Sequence, residues 1–346
     1  MSILITGGAG FIGSHACVEL LEHDYDVVVV DNFSNSSPAA LDAVRELTGR
    51  ELAVHEVDVR DASALDKVFR AGAIEAVIHF AGKKAVGEST RIPLDYFDVN
   101  VTGTITLLRV MRAHGVHRLV FSSSCSIYGD QYSRPITEAD RAEPVNPYAR
   151  SKLICEQVIE SCCGVYPDLR AISLRYFNPA GAHRSGLIGE SPLGVPSNVV
   201  PHMAKVAAGK LPRLHVFGDD YDTPDGSAIR DYIHVLDLVQ AHRLALEHLA
   251  DEPGMRVLNL GTGTGLSVLE LVRAFEQACG VTVPFDITAR RPGDVASLIA
   301  DPGLVTKEWG WRTSHDTQSM LRDAWHFERR NPDGYADPRR EAGAGQ

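Results

Sequence analysis

Three side chains near the middle of the chain have the chemistry to move a proton. Tyr148 and Lys152 are four residues apart, which places them on one face of a helix. Ser124 follows an apolar run, where a buried strand is predicted to pass into a polar loop. If the helix face meets that loop, a hydroxyl, a phenol and an ammonium converge. A free phenol has a pKa of about 10, and a neighbouring cation lowers it. We therefore predict that Ser124, Tyr148 and Lys152 are catalytic residues, with Tyr148 as the base that takes a proton from an alcohol.

A glycine-rich turn at the start of the chain predicts a dinucleotide site. The apolar residues 2–6 precede Gly7, Gly10 and Gly13, and a helical pattern and a second apolar run ending in Asp31 follow. Glycines let the backbone approach a pyrophosphate, and the helix N-terminus offers free N–H groups to it. Asp31 would accept hydrogen bonds from ribose hydroxyls and repel a 2′-phosphate, so NAD is favoured over NADP. The alternative is a turn that serves only helix–strand packing.

Strands and helices alternate from residue 2 to residue 175, which predicts an α/β fold with a doubly wound parallel Rossmann sheet. The third strand is expected at residues 52–59, with Asp58 and Val59 at its end, where they could flank an adenine. The glycine turn, Asp31, Asp58, Ala81 and Ser124 all follow predicted strands. Ligands of such sheets bind at the carboxyl ends of the strands. This shared location is a stronger indication than any single motif.

The domain organisation is predicted from a change in composition. We expect residues 1–180 to form the NAD-binding Rossmann domain. Residues 181–335 should form mainly a smaller, loop-rich C-terminal substrate lobe, with segments that return to the first domain. Gly, Pro and Ser become frequent just after residue 180, which is typical of such a lobe. Residues 336–346 lack periodicity and are expected to fray.

The composition limits the classes of function. The net charge of -11 argues against a nucleic-acid partner, because phosphate backbones require a basic surface. The six cysteines have no metal-ligand spacing, so we expect no metal and reduced thiols in a cytoplasmic protein. No signal peptide and no membrane span are predicted.

Several segments together resemble the extended short-chain dehydrogenase/reductase family. The glycine turn belongs to residues 6–15 (TGGAGFIGSH), and the serine loop and the Tyr-x-x-x-Lys pair complete that family's pattern. Further segments resemble, within the family, the enzymes that invert C4 of UDP-hexoses. These segments are residues 79–82 (HFAG), 84–89 (KAVGES), 175–179 (RYFNP), 181–183 (GAH) and 230–235 (RDYIHV). The resemblance extends from about residue 2 to about residue 335.

The resemblance implies NAD as the cofactor and adds residues to its site. Phe177 would lie against the nicotinamide. Together with the residues predicted above, the cofactor-binding set is Gly7, Gly10, Phe11, Ile12, Gly13, Asp31, Asn32, Asn35, Asp58, Val59, Phe80, Ala81, Gly82, Lys84, Ser122, Tyr148, Lys152 and Phe177.

The resemblance also implies a UDP-hexose site. Phe217 would pack along the uracil, Arg230 and Arg291 would hold the diphosphate, and Asp294 would bind the uridine ribose. Arginine forks suit phosphate oxygens geometrically. The substrate-binding set is Lys84, Ser124, Ser126, Tyr148, Tyr176, Asn178, Asn198, His215, Val216, Phe217, Arg230, Arg291, Asp294 and Leu298.

The implied activity is the reversible C4 epimerisation of UDP-galactose and UDP-glucose through a 4-keto intermediate. Tyr148 would act as the base, and hydride would be stored transiently on bound NAD, which carries that chemistry. The position of Leu298 is one where side-chain size decides whether N-acetylated sugars fit, and leucine is intermediate in size. The resemblance further implies a homodimer built from helices near residues 93–114 and 147–163.

Other activities of the family are the alternatives. They are UDP-N-acetylglucosamine or UDP-glucuronate 4-epimerisation and another nucleotide-sugar dehydrogenase chemistry. A 4,6-dehydratase needs an extra acid and base, and related dehydratases carry an Asp-Glu pair where this chain has Cys125 and Ser126. From a different class, a non-catalytic NAD-binding sensor would have no need of the Tyr148–Lys152 pair.

Overall fold

A seven-stranded sheet lies at the centre of the computed structural model, which describes residues 1–130, 134–249 and 254–335. Along the chain, the strands are β1 (Ser2–Thr6), β2 (Asp26–Asp31), β3 (Ala53–Glu56), β4 (Ile74–His79), β5 (Arg118–Ser124), β6 (Arg170–Tyr176), β7 (Asn178–Ala180), β8 (Leu214–Phe217), β9 (Ile229–His234), β10 (Gly254–Leu260), β11 (Gly265–Ser267), β12 (Phe285–Thr288) and β13 (Ser297–Leu298). The central sheet has the order β10-β6-β5-β4-β1-β2-β3. Every pair of neighbours in it is parallel.

Helices cover both faces of this sheet. The helices are α1 (Phe11–Glu22), α2 (Ala39–Thr48), α3 (Ala62–Ala71), α4 (Val86–Ser89), α5 (Pro93–Tyr96), α6 (Gly103–Ala113), α7 (Pro147–Val165), α8 (Val199–Ala207), α9 (Val235–His248), α10 (Val268–Cys279), α11 (Gly303–Trp309) and α12 (Thr317–Arg330). One core joins the sheet to α1, α2, α9 and α11, and a second core joins it to α3, α6 and α7. Because both faces are covered, the strands are continuous apolar runs, and Ile3, Leu4 and Ile5 are fully buried. The doubly wound parallel α/β fold is confirmed.

The second half of the chain builds smaller sheets and a third core. Strand β9 pairs with β7, β11 and β13, while β8 pairs with β12. Helices α8, α10 and α12 pack around these strands. Strand β10 pairs with β6 in the central sheet, so the chain returns to that sheet after residue 180. The division at residue 180 stays a prediction.

Local structure differs from the sequence-based expectation at three places. Strand β5 continues to Ser124, because residues 122–124 pair in register with the last residues of β6, so Ser124 ends a strand instead of lying in a loop. The third strand is only Ala53–Glu56, and it pairs on one side alone, with β2. The long helical stretch predicted near residues 93–114 contains a π-helical turn, Phe97–Thr102, between α5 and α6.

Two further predictions concern the tail and membranes. The expected frayed tail, residues 336–346, lies outside the described residues. Among the residues that are described, no helix combines the length and the apolar character needed to cross a bilayer.

Candidate active site

The three predicted catalytic residues converge at the carboxyl end of β5. Helix α7 begins with Pro147, and the Asn146 side chain caps it by accepting a hydrogen bond from the Ala149 N–H at 2.9 Å. This start places Tyr148 in the first turn of the helix, where its phenol hydrogen-bonds with Ser124. One turn later, Lys152 Nζ donates to the Ser122 carbonyl oxygen at 2.7 Å. The structure therefore brings the hydroxyl, the phenol and the ammonium together.

Burial controls the ionisation of these groups. It raises the pKa of Tyr148 to about 12, and the hydrogen bond with Ser124 acts in the opposite direction. It lowers the pKa of Lys152 to about 8. From the sequence we expected a neighbouring cation to lower the pKa of Tyr148. In the protein chain itself the pKa is raised instead, because the cost of desolvating the phenolate outweighs the effects of the neighbouring groups. The chain alone keeps Tyr148 protonated at neutral pH.

The glycine turn forms a tight backbone cradle between β1 and α1. Gly7 has a φ of +73°, and its carbonyl accepts a hydrogen bond from the Gly10 N–H at 3.1 Å. A Cβ on Gly13 would lie 2.1 Å from the Gly7 carbonyl oxygen, and a Cβ on Gly7 would lie 2.7 Å from the Ala81 nitrogen. Helix α1 begins at Phe11 without a side-chain cap, so the N–H groups of its first turn, Ile12 included, point out of the helix. This geometry fits an extended phosphate at the helix N-terminus.

Asp31 ends β2 beside the cradle and is mostly engaged by the protein. One carboxylate oxygen accepts from the Ala9 N–H at 3.0 Å. The other accepts from the Phe33 N–H and from Ser36 Oγ, each at 2.9 Å. The carboxylate therefore connects the glycine turn to the loop after β2, where Phe33 has a φ of 52°. Its position beside the turn is the one expected for a ribose contact.

Asp58 lies beyond the end of β3 in an ion-pair network. Hydrogen bonds from Arg60 hold the pKa of this carboxyl well below its usual range. Asn32 Nδ2 also donates to it, at 3.0 Å. The neighbouring Val59 is buried, and its Cγ2 lies 2.8 Å from the position of a Cβ on Gly103. Asp58 and Asn32 thus share one site at the far end of the sheet edge from Tyr148.

One carboxylate connects a predicted cofactor residue to a predicted substrate residue. Glu190 Oε1 accepts from Lys84 Nζ and from Asn198 Nδ2, each at 2.7 Å. Nearby, the Asn35 side-chain oxygen accepts from the Leu193 N–H at 3.1 Å. The segment that contains Glu190 therefore bridges the glycine-turn side and the second half of the chain. Sequence reasoning did not select Glu190, since an isolated Glu in a loop carries no signal.

The predicted uridine and diphosphate residues form a second group. Arg291 makes a two-pronged ion pair with Asp294, at 3.1 and 3.0 Å, and its guanidinium lies 5.2 Å from the centre of the Phe217 ring. Arg230 donates to the carbonyl oxygens of Ile229 and Val295, at 2.7 and 2.8 Å. Along β8, the side chains of His215 and Phe217 are exposed, whereas that of Val216 belongs to the third core. Val216 can therefore offer a ligand little besides its backbone.

The second group meets the catalytic group directly. A Cβ on Gly293 would lie 3.3 Å from Asn146 Cβ, and Asn146 is the residue that caps α7. Leu298 shares a buried cluster with Phe177 and Cys125, next to Ser124 and Ser126. The Arg291–Leu298 segment is thereby held against the start of the catalytic helix.

Two other predicted residues lie at the junction of β6 and β7. The hydroxyls of Tyr176 and Ser122 are hydrogen-bonded to each other. Asn178 Oδ1 is buried and has no partner among the described residues. A buried polar atom without a partner is costly, and a ligand that supplies a donor would remove that cost. The remaining cofactor candidates, Phe80, Ala81 and Gly82, follow β4, and the N–H groups of Phe80 and Ala81 donate to the Thr6 carbonyl.

Asn100 contacts the turn after β4 and helix α7, although our predicted site does not include it. Its Oδ1 accepts from the Lys83 N–H at 2.8 Å, and its Nδ2 donates to Ser151 Oγ at 2.8 Å. It also lies against Gly82, since a Cβ there would be 2.9 Å from Asn100 Oδ1. Asn100 occupies the π-helical turn, a feature that often marks functional sites but is not readable from hydrophobic spacing.

Comparisons with known proteins agree with this geometry. A family model described as the NAD dependent epimerase/dehydratase family matches residues 3–261. The chain is 50% identical over 336 residues to the UDP-glucose 4-epimerase of Dictyostelium discoideum, covering 97% of this chain and 98% of that protein.

Two solved structures have closely similar folds. One is UDP-glucose 4-epimerase from Bifidobacterium longum in complex with NAD+ and UDP, with a TM-score of 0.95, 46% identity and coverage of 97% of this chain and 100% of that chain. The other is UDP-glucose-4-epimerase from Stenotrophomonas maltophila with bound NAD and formylated UDP-arabinopyranose, with a TM-score of 0.93, 49% identity and coverage of 96% and 99%.

The glycine cradle yields a direct test. Gly13→Ala would force a methyl group to 2.1 Å from the Gly7 carbonyl oxygen, so the turn must open. We expect dinucleotide binding to weaken at least about tenfold, or ~1.4 kcal/mol, measured by fluorescence titration with NAD. Gly164→Ala in α7 is the matched control, because a Cβ there would meet no atom within 4 Å apart from its chain neighbours and the local helix backbone. Equal NAD affinity in the Gly13 variant and the wild type would contradict a phosphate site at this turn.

Proposed function

Because this chain belongs to the NAD dependent epimerase/dehydratase family, we propose that it catalyses the reversible C4 epimerisation of UDP-galactose and UDP-glucose with NAD. The observation that carries the proposal is the meeting of Ser124, Tyr148 and Lys152 at the same sheet edge as the glycine cradle. This is the arrangement that removal of a proton from a sugar hydroxyl beside a dinucleotide requires.

The residues present fit NAD. The glycine cradle would bind the pyrophosphate, and Asp31 would bind the adenosine ribose. The adenine would lie near Asp58 and Asn32. Phe80, Ala81, Gly82, Ser122 and Phe177 would lie along the nicotinamide half. The bound cofactor supplies a reversible hydride acceptor and a cationic ring.

The chain's own residues would handle the proton. Tyr148 is protonated at neutral pH in the chain alone, since burial raises its pKa to about 12. The charge of Lys152 and a cation bound beside Tyr148 both favour the phenolate, which then takes the sugar 4-hydroxyl proton. Ser124, hydrogen-bonded to Tyr148, would hold that hydroxyl in line.

The second group of residues would hold the UDP part while the hexose turns. Arg230 and Arg291 would bind the diphosphate, Asp294 the ribose, and the exposed face of β8 around His215 and Phe217 the uracil. Asn178, Asn198 and Lys84 would contact the sugar–phosphate end. The Arg291–Asp294 and Lys84–Glu190 pairs would then exchange part of their present contacts for contacts to the ligand.

The alternatives have less support. A 4,6-dehydratase needs a further acid–base pair, but Cys125 and Ser126 follow Ser124, and burial raises the pKa of the Cys125 thiol to about 12. A non-catalytic NAD sensor would have no reason to bury Lys152 beside Tyr148, because a buried cation is costly.

The first test is an activity assay on the purified protein without added NAD. We expect UDP-galactose to be converted to UDP-glucose. Tyr148→Phe should reduce kcat about 100-fold or more by removing the base. Tyr25→Phe, whose hydroxyl faces Glu247 instead of the site, is the control and should keep the wild-type rate. If no UDP-glucose forms even with NAD supplied, the proposed reaction is wrong.

Leu298 predicts a mixed substrate preference. Its buried side chain, 6% exposed, lies in the cluster with Phe177. Its volume there would limit the space beside a bound hexose. We expect measurable but minor turnover of UDP-N-acetylglucosamine. Leu298→Ala should raise the rate ratio of this sugar to UDP-glucose, and Leu298→Tyr should lower it, each by about tenfold. Leu298→Met, of similar volume, is the control. Undetectable turnover of the N-acetylated sugar by wild type and the alanine variant would contradict this role.

We also propose a homodimer formed by the helices near residues 93–114 and 147–163, which are α5, α6 and α7. Leu94 and Val165, at two ends of this region, are 80% and 70% exposed, and a groove between the helices is lined by Leu108, Met111 and Tyr166. Exposed apolar side chains beside such a groove are typical of an interface. Sedimentation equilibrium should give twice the chain mass of 37.6 kDa, and Val165→Glu should give one chain mass. Ile287→Glu, at an exposed site on β12, should stay dimeric. A wild-type monomer would overturn the proposal.

A cytoplasmic location completes the proposal. All six cysteines are free thiols, four of them buried, as expected in a reducing compartment. Recovery of the protein from another compartment upon cell fractionation would refute it.

A further inference from the structure

A buried charged pair lies directly behind the catalytic helix. Glu156, one turn beyond Lys152 on α7, accepts two hydrogen bonds from Arg175 on β6, at 3.0 and 2.6 Å. The side chains of Arg175 and Glu156 are 10% and 5% exposed. Ser173 Oγ, two residues before Arg175, also donates to Glu156, at 2.8 Å. The carboxylate is therefore held by two side chains of one strand.

The remaining guanidinium nitrogen of Arg175 extends the hydrogen-bond network to other elements. Its Nη1 donates to the Tyr128 hydroxyl at 3.0 Å, and that hydroxyl donates to Asn259 Oδ1 at 2.7 Å. Asn259 Nδ2 in turn donates to the Ile136 carbonyl oxygen at 2.8 Å. The network joins α7 to β6, to the 3-10 turn Cys125–Tyr128, to β10 and to Ile136 in the segment before α7.

Stability alone is a weak explanation for such a network. A buried ion pair often contributes no more to folding than apolar side chains of the same size, because both charges must leave water. Its polar members are held in one geometry by directional bonds, and that geometry includes the helix that carries Lys152 and the turn that directly follows Ser124. The bonds therefore specify position more than they add stability.

Glu156 also acts on the charge of Lys152. Burial lowers the pKa of this lysine to about 8, while Cys155 and Glu156 act in the opposite direction. Among the described residues, Cys155 on α7 and His79 at the end of β4 also interact electrostatically with Lys152. Tyr148 lies one helical turn before it on α7. Burial, with a further contribution from Lys152, lowers the pKa of His79 to about 3, so this side chain is neutral at neutral pH. Glu156 is the carboxylate in this set.

We propose that Glu156 and Arg175 are positioning residues that set the place and the charge of Lys152 beside the Tyr148–Ser124 pair. This inference rests on the proposed function. The Glu156 carboxylate favours the protonated form of Lys152. Arg175 fixes the position of this carboxylate, and its positive charge reduces the effect of the carboxylate on the pKa of Lys152. Neither residue touches the reacting atoms.

The test uses two substitutions with opposite electrostatic effects. Lys152 must be charged to favour the Tyr148 phenolate, so kcat falls as pH rises through the pKa of Lys152. We call this fall of kcat at high pH the basic limb of the pH profile. Glu156→Gln removes a carboxylate and should move the basic limb to lower pH. Arg175→Gln leaves the carboxylate without its guanidinium and should move the limb to higher pH. We expect shifts of about half a pH unit or more in each direction.

Conservative and distant variants separate charge from packing. Arg175→Lys keeps the charge but loses the two-pronged geometry, so it should lower kcat while leaving the limb near its wild-type position. Arg243→Gln breaks a comparable pair, 2.7 Å to Glu19, between α9 and α1. It should lower Tm without moving the pH profile.

A direct titration makes the outcome independent of turnover. NMR of 13Cε-labelled lysine, assigned by loss of the signal in Lys152→Met, should show the same two opposite shifts. The proposal would be overturned if the basic limb of the pH profile and the Lys152 titration coincide with those of wild type in both variants. It would also be overturned if they move in the same direction in both variants. A wild type with no epimerase activity would refute the proposed reaction, yet the NMR titration would still decide whether Glu156 and Arg175 control Lys152.

Discussion

Burial of the Lys152 ammonium is the constraint on which the rest of this site depends. The side chain is 5% exposed, and its Nζ has the Ser122 carbonyl as a hydrogen-bond acceptor. A cation at this depth is tolerated only with fixed partners. Helix α7 must therefore dock closely on β5 and β6, and the Asn146 cap determines where that helix begins. The phenol of Tyr148 reaches Ser124 as a consequence of the same docking.

Parallel strand direction gathers the remaining groups. Because the central strands all run the same way, the glycine turn, Asp31, Gly82 and Ser124 emerge at one edge of the sheet. A dinucleotide laid along that edge, as proposed, would extend from the end of β2 to the start of α7. Asn100 holds the turn after β4 against α7 by bonding both Lys83 and Ser151. The predicted cofactor residues and the catalytic residues are thus connected along one edge of the sheet.

Two segments of the second half of the chain contact this edge, in addition to the strand and helices that belong to the central core. Glu190 joins Lys84 to Asn198, and the Arg291–Asp294 segment rests on the cap of α7. The Lys84–Glu190 and Arg291–Asp294 pairs each combine a partly exposed cation with a mostly buried carboxylate. A phosphate group could therefore compete with these carboxylates for the two cations. Buried catalytic groups and partly exposed cations in the substrate lobe suit a site that holds a nucleotide and lets a sugar turn.

The sequence by itself determined the parts that depend on local pattern. Apolar runs alternating with helical spacing predicted the parallel sheet, and the glycines, Asp31 and the Tyr148–Lys152 spacing predicted the candidate site, because backbone shape and helix periodicity are encoded within a few residues. Tertiary structure alone decided that Ser124 ends a strand, that Glu190 and Asn100 join the site, and that Arg175 meets Glu156. It also decided the raised pKa of Tyr148. Pairing partners and desolvation arise from residues distant in the chain, which no local pattern records.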